Sequence, residues 1–200
     1  VDIEADSFNM DPASLEQAID TAKKAGLKLR GVIPVYMFGL PPAYDRIHPI
    51  AEKHGLWVMG DAAQGFGSSI NGVKAGKLTH VTTTSFFPAK PLGCYGDGGA
   101  VFTDDDELNS ILQSLRVHGK GSDKYDNVRI GLNARLDTIQ AAILIEKLAI
   151  FAREIDERQR VANRYSEGLK AHLTTPAVGK GIVSAWAQYS LLATSGSQRD

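Results

Sequence analysis

Three stretches decide the fold, namely Gly60-Asp61-Ala62-Ala63-Gln64, Ser85-Phe86-Phe87-Pro88-Ala89-Lys90 and Gly96-Asp97-Gly98-Gly99-Ala100. Short apolar runs lead into the first two: residues 56–59 end at Gly60, and the β-branched and aromatic residues 81–87 end at Pro88. Both runs are typical of strands. Ligands of α/β sheets bind beyond the strand ends, so the sequence predicts a carboxylate and an amine at one such edge.

Helical patterns alternate with apolar runs in the first half of the chain. Asp11 and Pro12 begin a helix whose apolar face ends before Gly26. Residues 29–38 are almost continuously apolar and predict a parallel strand covered on both faces. A second helical pattern follows and ends at Gly55. This alternation predicts an α/β fold with a mostly parallel sheet.

The second half of the chain predicts further elements. Asp104 with Glu107 resembles a capping box, which predicts the start of a helix. The other predicted elements are a strand over 98–103, a loop rich in Gly, Lys and Asp over 118–131, two helices between 135 and 169 that separate near Phe151-Ala152, and a strand over 185–192.

Composition narrows the class of protein. Of 200 residues, 43% are hydrophobic and 22% are charged, and the net charge of −1 offers no basic excess for nucleic acid. The single cysteine, Cys94, rules out an internal disulfide framework and fits a reducing compartment. No apolar run reaches the length of a membrane span and no signal-peptide pattern is present, so we expect a cytoplasmic protein.

The pairing of Asp61 with Lys90 suggests pyridoxal phosphate chemistry. A lysine must lose its proton before its amine can attack the cofactor aldehyde. The pyridine ring is an electron sink only while its nitrogen stays protonated, and a carboxylate such as Asp61 can hold that proton. Ser85, five residues before Lys90, can offer its hydroxyl to the cofactor phosphate.

Each of these residues has a simpler interpretation when it is taken alone. An Asp at a strand end is commonly a helix N-cap, a Lys in a loop is commonly solvated, and a lone Ser carries little information. The five histidines have no ligand spacing, so no metal site is predicted. The glycines of 93–99 lack the Gly-Lys-Ser/Thr ending of a P-loop and predict a tight turn that lets the backbone approach a cofactor.

Five signatures occur in a fixed order: Asp61-Ala62-Ala63-Gln64, Ser85-Phe86-Phe87-Pro88-Ala89-Lys90, Gly96-Asp97-Gly98-Gly99-Ala100, Arg116-Val117-His118-Gly119 and Asn133-Ala134-Arg135-Leu136-Asp137. Over residues 2–188 the chain resembles the DegT/DnrJ/EryC1/StrS sugar aminotransferases, which are fold-type I pyridoxal phosphate enzymes. The resemblance implies an aspartate aminotransferase-like large domain over 1–150, without its N-terminal part. It also implies a connecting helix and the start of a small domain over 151–200.

The resemblance also implies roles for single residues. Lys90 would form the Schiff base with pyridoxal 5'-phosphate, Asp61 would pair with the ring nitrogen, Gln64 with the ring hydroxyl and Ser85 with the phosphate, and Ala63 would complete this cofactor-binding set. Asn133 resembles an asparagine that reaches the phosphate held by the neighbouring subunit, which implies a homodimer with shared active sites. Family members that dehydrate sugars carry histidine at the lysine position, and Lys90 argues against that branch.

The implied reaction moves an amino group from L-glutamate to a nucleotide-linked keto-sugar. The sequences of segments 85–100 and 129–138 are most similar to those of members that aminate UDP-2-acetamido-2-deoxy-3-oxo-glucuronate on the way to surface polysaccharide. A uronate and glutamate each carry a carboxylate that one arginine fork can bind, with Arg135 as the first candidate and Arg129 as the second.

Three alternatives remain open at this point. A surface salt bridge is the simpler interpretation of each arginine. A 4-keto-6-deoxy sugar is the rival substrate. A regulatory or assembly module of the same fold, without catalysis, is the rival function.

Overall fold

The computed structural model describes residues 1–123 and 125–200. The helices are α1 (Pro12–Lys24), α2 (Tyr44–Lys53), α3 (Asp106–Leu115), α4 (Thr138–Leu169) and α5 (Gly196–Arg199). The strands are β1 (Gly31–Val32), β2 (Trp57–Asp61), β3 (Ser69–Ile70), β4 (Val73–Lys74), β5 (Val81–Ser85), β6 (Gly99–Phe102) and β7 (Ile182–Val183). Two 3-10 turns cover Met37–Gly39 and Ala75–Lys77.

The main sheet has the strand order β1-β2-β5-β6. The first three strands are parallel, and β6 pairs antiparallel with β5. Because β2 and β5 run in the same direction, their carboxyl ends lie at one edge, and their register pairs Asp61 with Thr83. The α/β class and the mostly parallel sheet predicted from the sequence are confirmed.

One core cluster lies under β1 and β2. Leu15 and Ile19 of α1 and Ile47 of α2 are buried there against Val58 of β2. Asp11 caps α1, since its carboxylate accepts the Ala13 amide, as the sequence predicts. This packing holds β2 in place, and with it the carboxylate at its end.

The long apolar strand predicted over 29–38 is wrong in extent. Only Gly31–Val32 forms a strand, and Val35 adds one isolated parallel bridge to Asp61. Pro34 has no amide hydrogen to donate, and Phe38 has a left-handed backbone with φ of 59° inside the 3-10 turn. The run therefore stays beside β2 as far as Tyr36, whose amide donates to the Asp61 carbonyl, and it leaves the sheet at the 3-10 turn.

A second core cluster joins α4 to the turn after β5. Leu144, Phe151 and Ile155 of α4 pack with Phe86 and Leu92, and Cys94 and Ala185 complete the cluster. The break predicted near Phe151-Ala152 is wrong, because α4 is one continuous helix of 32 residues. No proline interrupts the helix there, and Phe151 is buried on the same face as its neighbours in the cluster.

Two smaller predictions also need correction. The N-cap of α3 is Asp105 and not Asp104, since the Asp105 carboxylate accepts the Leu108 amide at 2.9 Å. No strand forms over 185–192, where Leu192 makes one isolated bridge to Thr174. The left-handed backbone of Trp186, with φ of 48°, interrupts the extended chain. The strand of this region is β7, in a small antiparallel sheet of order β4-β3-β7.

The segment predicted as a loop over 118–131 is tied by backbone hydrogen bonds. Val117 bridges Asn133, and Lys120 bridges Asn127. A Cβ added at Gly119 would lie 1.8 Å from the Arg129 carbonyl oxygen. Residues 117–123 and 125–133 therefore form an arm whose two sides are in close contact. Lys124 lies within the predicted loop but outside the described residues.

The helices of 1–123 and 125–200 include none that is both long and apolar enough to cross a lipid bilayer.

Candidate active site

Asp61 stands at the end of β2 with its backbone fixed on both sides. Its amide donates to the Pro34 carbonyl at 2.9 Å, and its carbonyl accepts the Tyr36 amide at 3.0 Å. Its carboxylate Oδ1 accepts the Ala63 amide at 3.0 Å. Asp61 thus begins a short turn and is not a helix N-cap, since strand β3, and not a helix, follows it. Its half-buried carboxylate lies at the sheet edge where ligands bind.

Gln64 lies in the same turn and binds the chain beside it. Its side-chain oxygen Oε1 accepts the Phe38 amide at 2.8 Å. This contact leaves the Gln64 amide nitrogen as the group available to a ligand. A Cβ added at the neighbouring Gly39 would lie 3.1 Å from the Gln64 carbonyl oxygen, so the two segments touch. The structure brings Asp61, Ala63 and Gln64 together.

Ser85 is the last residue of β5, directly next to the end of β2. The Ala62 amide donates to the Thr83 carbonyl at 2.8 Å, and the Thr84 hydroxyl donates to the Ala62 carbonyl at 3.0 Å. These bonds lock the Asp61 turn to β5. The Ser85 hydroxyl oxygen accepts the Phe87 amide at 3.2 Å and keeps its own hydrogen for another acceptor.

Lys90 lies in a tight turn just after β5. Its amide donates to the Phe87 carbonyl at 2.9 Å, and the Cys94 amide closes the turn on the Phe86 carbonyl at 2.8 Å. A Cβ at Gly93 would lie 2.5 Å from the Pro88 carbonyl oxygen, so only glycine allows this fold-back. The half-buried Lys90 is therefore carried on a constrained backbone.

Beneath the Asp61 turn lies an aromatic floor. The Tyr36 ring is fully buried, and a Cβ at Gly65 would lie 2.4 Å from it. Burial raises the pKa of the Tyr36 hydroxyl to about 12, so this hydroxyl stays protonated and donates to the Ala75 carbonyl at 3.2 Å. The floor is therefore neutral, and it adds no charge beside the carboxylate of Asp61.

Asn133, Arg135 and Arg129 lie in a separate segment against the end of α3. The Arg135 Nε donates to the Asn133 side-chain oxygen at 3.0 Å, and Arg129 donates to the Ser114 hydroxyl at 3.3 Å. All three side chains are exposed. The structure does not tie them by a hydrogen bond to the group around Asp61, although it does bring Asn133 and Arg135 into contact.

Sequence reasoning missed two residues that support the Lys90 turn. Lys147 and Arg158 of α4 donate to the carbonyls of Gly93 and Pro91. Both lie on the helix face that carries Phe151 and Ile155. Two cations flanking an apolar helical stripe were a signal in the sequence, but their backbone partners could not be read from it.

The described residues offer no candidate metal site. Within 1–123 and 125–200, no three His, Cys, Asp or Glu side chains gather in an arrangement that could hold a metal ion. Cys94 is fully buried, and its thiol contacts the carbonyls of Phe86 and Gly96 at 3.0 Å.

Comparison with known proteins adds to this geometry. A UDP-2-acetamido-2-deoxy-3-oxo-D-glucuronate aminotransferase of Pseudomonas aeruginosa is 46% identical over 192 residues, which are 96% of this chain and 52% of that protein. A protein named pleiotropic regulatory protein, from Geobacillus stearothermophilus, is 40% identical over 197 residues, covering 96% of this chain and 51% of that protein. The chain thus spans about half the length of the curated relatives it matches.

Solved structures agree with these sequence matches. The crystal structure of a DegT DnrJ EryC1 StrS aminotransferase from Brucella abortus superposes with a TM-score of 0.94 at 54% identity, covering 96% of this chain and 52% of that chain. NtdA from Bacillus subtilis, solved with bound cofactor PMP, gives a TM-score of 0.81 at 28% identity, covering 96% and 43%.

The profile of one family matches every residue from 1 to 200. This match agrees with the signatures around Asp61, Lys90 and Asn133 and with the fold that positions them. The chain belongs to the DegT/DnrJ/EryC1/StrS aminotransferase family.

Proposed function

We propose that the protein is an aminotransferase that uses pyridoxal 5'-phosphate to move an amino group from L-glutamate to a nucleotide-linked keto-sugar. One observation carries this proposal. The carboxylate of Asp61 and the hydroxyl of Ser85 end neighbouring parallel strands, and the turn with Lys90 follows at once. The family match and the PMP-bound NtdA structure support the cofactor.

The donor set fits the groups of that cofactor. Asp61 would hold the proton of the pyridine nitrogen, and the Gln64 amide would meet the ring hydroxyl. Ser85 would bind the phosphate with the hydrogen that its own contact leaves unused. Ala63 would line the same turn, because its amide fixes the carboxylate of Asp61. The cofactor, when bound, supplies an aldehyde and an electron-accepting ring.

Lys90 would carry both covalent binding and proton transfer. It would hold the cofactor covalently, and its amine, once free, would take the proton from the donor α-carbon as a general base. A turn that is closed by the amides of Lys90 and Cys94 holds the backbone from which this side chain would act. Because the donor and the keto-sugar would be served in turn by the same lysine, ping-pong kinetics are expected.

The arginines beside Asn133 suggest a substrate that carries a carboxylate. We propose a UDP-linked 3-keto-2-acetamido-glucuronate, as in the name of the Pseudomonas relative, on the way to surface polysaccharide such as the O-antigen of lipopolysaccharide. Arg135 uses its Nε on Asn133 and keeps both terminal nitrogens for a carboxylate. Arg129 is the second candidate. The reaction would take place in the cytoplasm.

A homodimer would complete the site. Ile130 and Leu132, which precede Asn133, are 99% and 71% exposed in this chain, an unusual position for large apolar side chains. We propose that the partner subunit covers them and that Asn133 reaches the phosphate bound by the partner. The backbone hydrogen bonds of the arm would present Asn133 in a fixed direction.

A regulatory or assembly module without catalysis is the second candidate, because the Geobacillus relative is named a regulatory protein. Adding pyridoxal phosphate to the purified protein separates the two functions. A catalytic site gives a yellow protein whose absorbance changes with glutamate, and a module without the cofactor stays colourless.

The substrate assignment is tested by assaying the complete protein with glutamate and either the 3-keto-uronate or a 4-keto-6-deoxy sugar. We expect preference for the uronate, and we expect Arg135→Lys to raise KM for both glutamate and the uronate at least tenfold, since lysine loses the planar fork. Arg153→Lys, exposed on α4, is the control and should leave both KM values unchanged. Preference for the uncharged sugar, or unaltered KM values in Arg135→Lys, would refute the assignment.

A further inference from the structure

Helix α4 reaches the backbone of the Lys90 turn at two points. The Nζ of Lys147 donates to the Gly93 carbonyl oxygen, and the guanidinium of Arg158 donates to the Pro91 carbonyl oxygen at 3.4 Å. Pro91 and Gly93 both follow Lys90 within three residues. The side of the turn that is not tied to β5 is thus held by two cations of one helix.

The helix can reach both points because of its periodicity. Lys147 and Arg158 are eleven residues apart, which is close to three full turns, so they lie on the same face. Between them, Phe151 and Ile155 are buried against the base of the turn. The apolar stripe fixes the distance from helix to turn, and the two long side chains then reach carbonyls that are two residues apart.

Both cations have a second contact that limits their movement. Lys147 lies over the Tyr95 ring, with its Nζ 5.5 Å from the ring centroid. Arg158 also donates to the Trp186 carbonyl at 3.3 Å. Both side chains are half-buried, where a hydrogen bond from a charged donor is stronger than one in open solvent.

The contact with Trp186 extends the connection to the other half of the site. A Cβ added at Gly39 would lie 2.7 Å from the Trp186 amide nitrogen, and the amide next to Gly39, that of Phe38, is held by the Gln64 side chain. Arg158 therefore touches the Lys90 turn on one side and, through Trp186, the segment that holds Gln64 on the other.

We propose that Lys147 and Arg158 are positioning residues that hold the Lys90 turn in the geometry needed for its amine to act. The proposal rests on the proposed function for its catalytic consequence, but not for the structural effect, which concerns the turn itself. The α4 cations act through the backbone carbonyls and touch neither substrate nor cofactor.

Two amides report on the turn, those of Lys90 and Cys94, because each closes it by a hydrogen bond. We therefore propose amide hydrogen exchange on the complete protein without cofactor, comparing the parent with Lys147→Met and Arg158→Met. Each variant should exchange these two amides at least tenfold faster. Lys147→Arg, which keeps a charged donor, should stay within about threefold of the parent, and Arg153→Met, on the exposed side of α4, should match it.

Exchange in a core strand, measured together with thermal unfolding, separates this local effect from a general loss of structure. Exchange in the core strand β2 follows global stability, so in each Met variant the increase at Lys90 and Cys94 should exceed any increase in β2. In the loaded protein we expect kcat to fall about tenfold in Lys147→Met with KM for glutamate within twofold, and Lys147→Arg to restore kcat. Unchanged exchange at Lys90 and Cys94 in both Met variants would overturn the proposal. An inactive parent whose Met variants still show faster exchange would reject the proposed function and leave the positioning of the turn confirmed.

Discussion

At the scale of single residues, the effect of the negative charge of Asp61 can be separated from the structural role of this residue in the turn. Its Oδ1 accepts the Ala63 amide, and an asparagine oxygen can accept the same bond. Its backbone bonds to Pro34 and Tyr36 do not involve the side chain. Replacement by asparagine therefore removes the negative charge and little else.

Asp61→Asn is expected to bind the cofactor and to lose most of its turnover. A lost charge-assisted hydrogen bond is worth about 1.5–3 kcal/mol, which corresponds to a decrease in kcat of one to two orders of magnitude. Steady-state kinetics measures the decrease, with Asp104→Asn as the control because Asp104 is exposed and lies 3.8 Å from Lys77. If Asp61→Asn turns over like the parent, Asp61 serves only to begin the turn.

The candidate site could be proposed from the sequence because the chemistry of Asp61, Ser85 and Lys90 is a property of the residue type, and the family resemblance added Gln64. A carboxylate, an amide, a hydroxyl and an amine each suit one group of the cofactor, and strand ends bring such residues together. Lys147 and Arg158 escaped prediction because they bind backbone carbonyls, which every residue has. Their partners depend on which loop lies under α4, and that is a matter of packing.

At the scale of elements, α4 connects the turn of Lys90 to the C-terminal segment. The predicted boundary between the two domains, at 150 and 151, falls within this continuous helix, and the division into domains stays a prediction. Phe151 lies at the midpoint, 6% exposed, with its ring stacked on that of Phe66 at 5.6 Å. Its burial joins the helix to the sheet.

Phe151→Ala should lower the free energy of unfolding by about 3–5 kcal/mol, as a cavity in a packed core does. Urea unfolding of the complete protein measures the change. Arg153→Ala, exposed two residues along the same helix, should stay within about 0.5 kcal/mol of the parent. A change below about 1 kcal/mol in Phe151→Ala would contradict the role of this ring in joining α4 to the sheet.

The elements that the sequence predicted incorrectly share a physical cause. Apolar runs indicate burial, but the direction of the chain depends on single backbone positions. Phe38 and Trp186 adopt left-handed backbones that few residues of this size adopt, and each ends an extended run that hydrophobicity alone would continue. The continuity of α4 was missed because apolar residues on its exposed side, such as Ile139 and Tyr165, obscure the single buried face through Leu144, Phe151 and Ile155.

At the scale of the whole molecule, the exposed apolar side chains near Asn133 fit the proposed second subunit. The arm formed by residues 117–123 and 125–133 has backbone hydrogen bonds between its two sides. The sequence could not predict these bonds, because its glycines were read as a sign of a loop. A composition rich in glycine indicates turns. The hydrogen bonds of the arm depend instead on how its two sides come together in the fold.

Subunit mixing tests the shared site. Lys90→Ala and Asn133→Ala homodimers should both have less than about one tenth of the parent activity. A heterodimer holds one site with both residues intact, so mixtures should recover up to about a quarter of the parent activity once subunits exchange. Mass spectrometry of the intact dimers confirms the exchange. Exchanged mixtures that remain inactive would contradict a site built from two subunits.

If Lys90 is the lysine that binds the cofactor, covalent trapping will locate the cofactor on Lys90. The complete protein is loaded with pyridoxal phosphate, reduced with borohydride and digested, and the modified lysine is located by mass spectrometry. We expect the pyridoxyl group on Lys90, its absence in a folded Lys90→Ala variant, and loss of turnover in that variant. A pyridoxyl group on another lysine, or Lys90→Ala turning over at the parent rate, would contradict this role of Lys90.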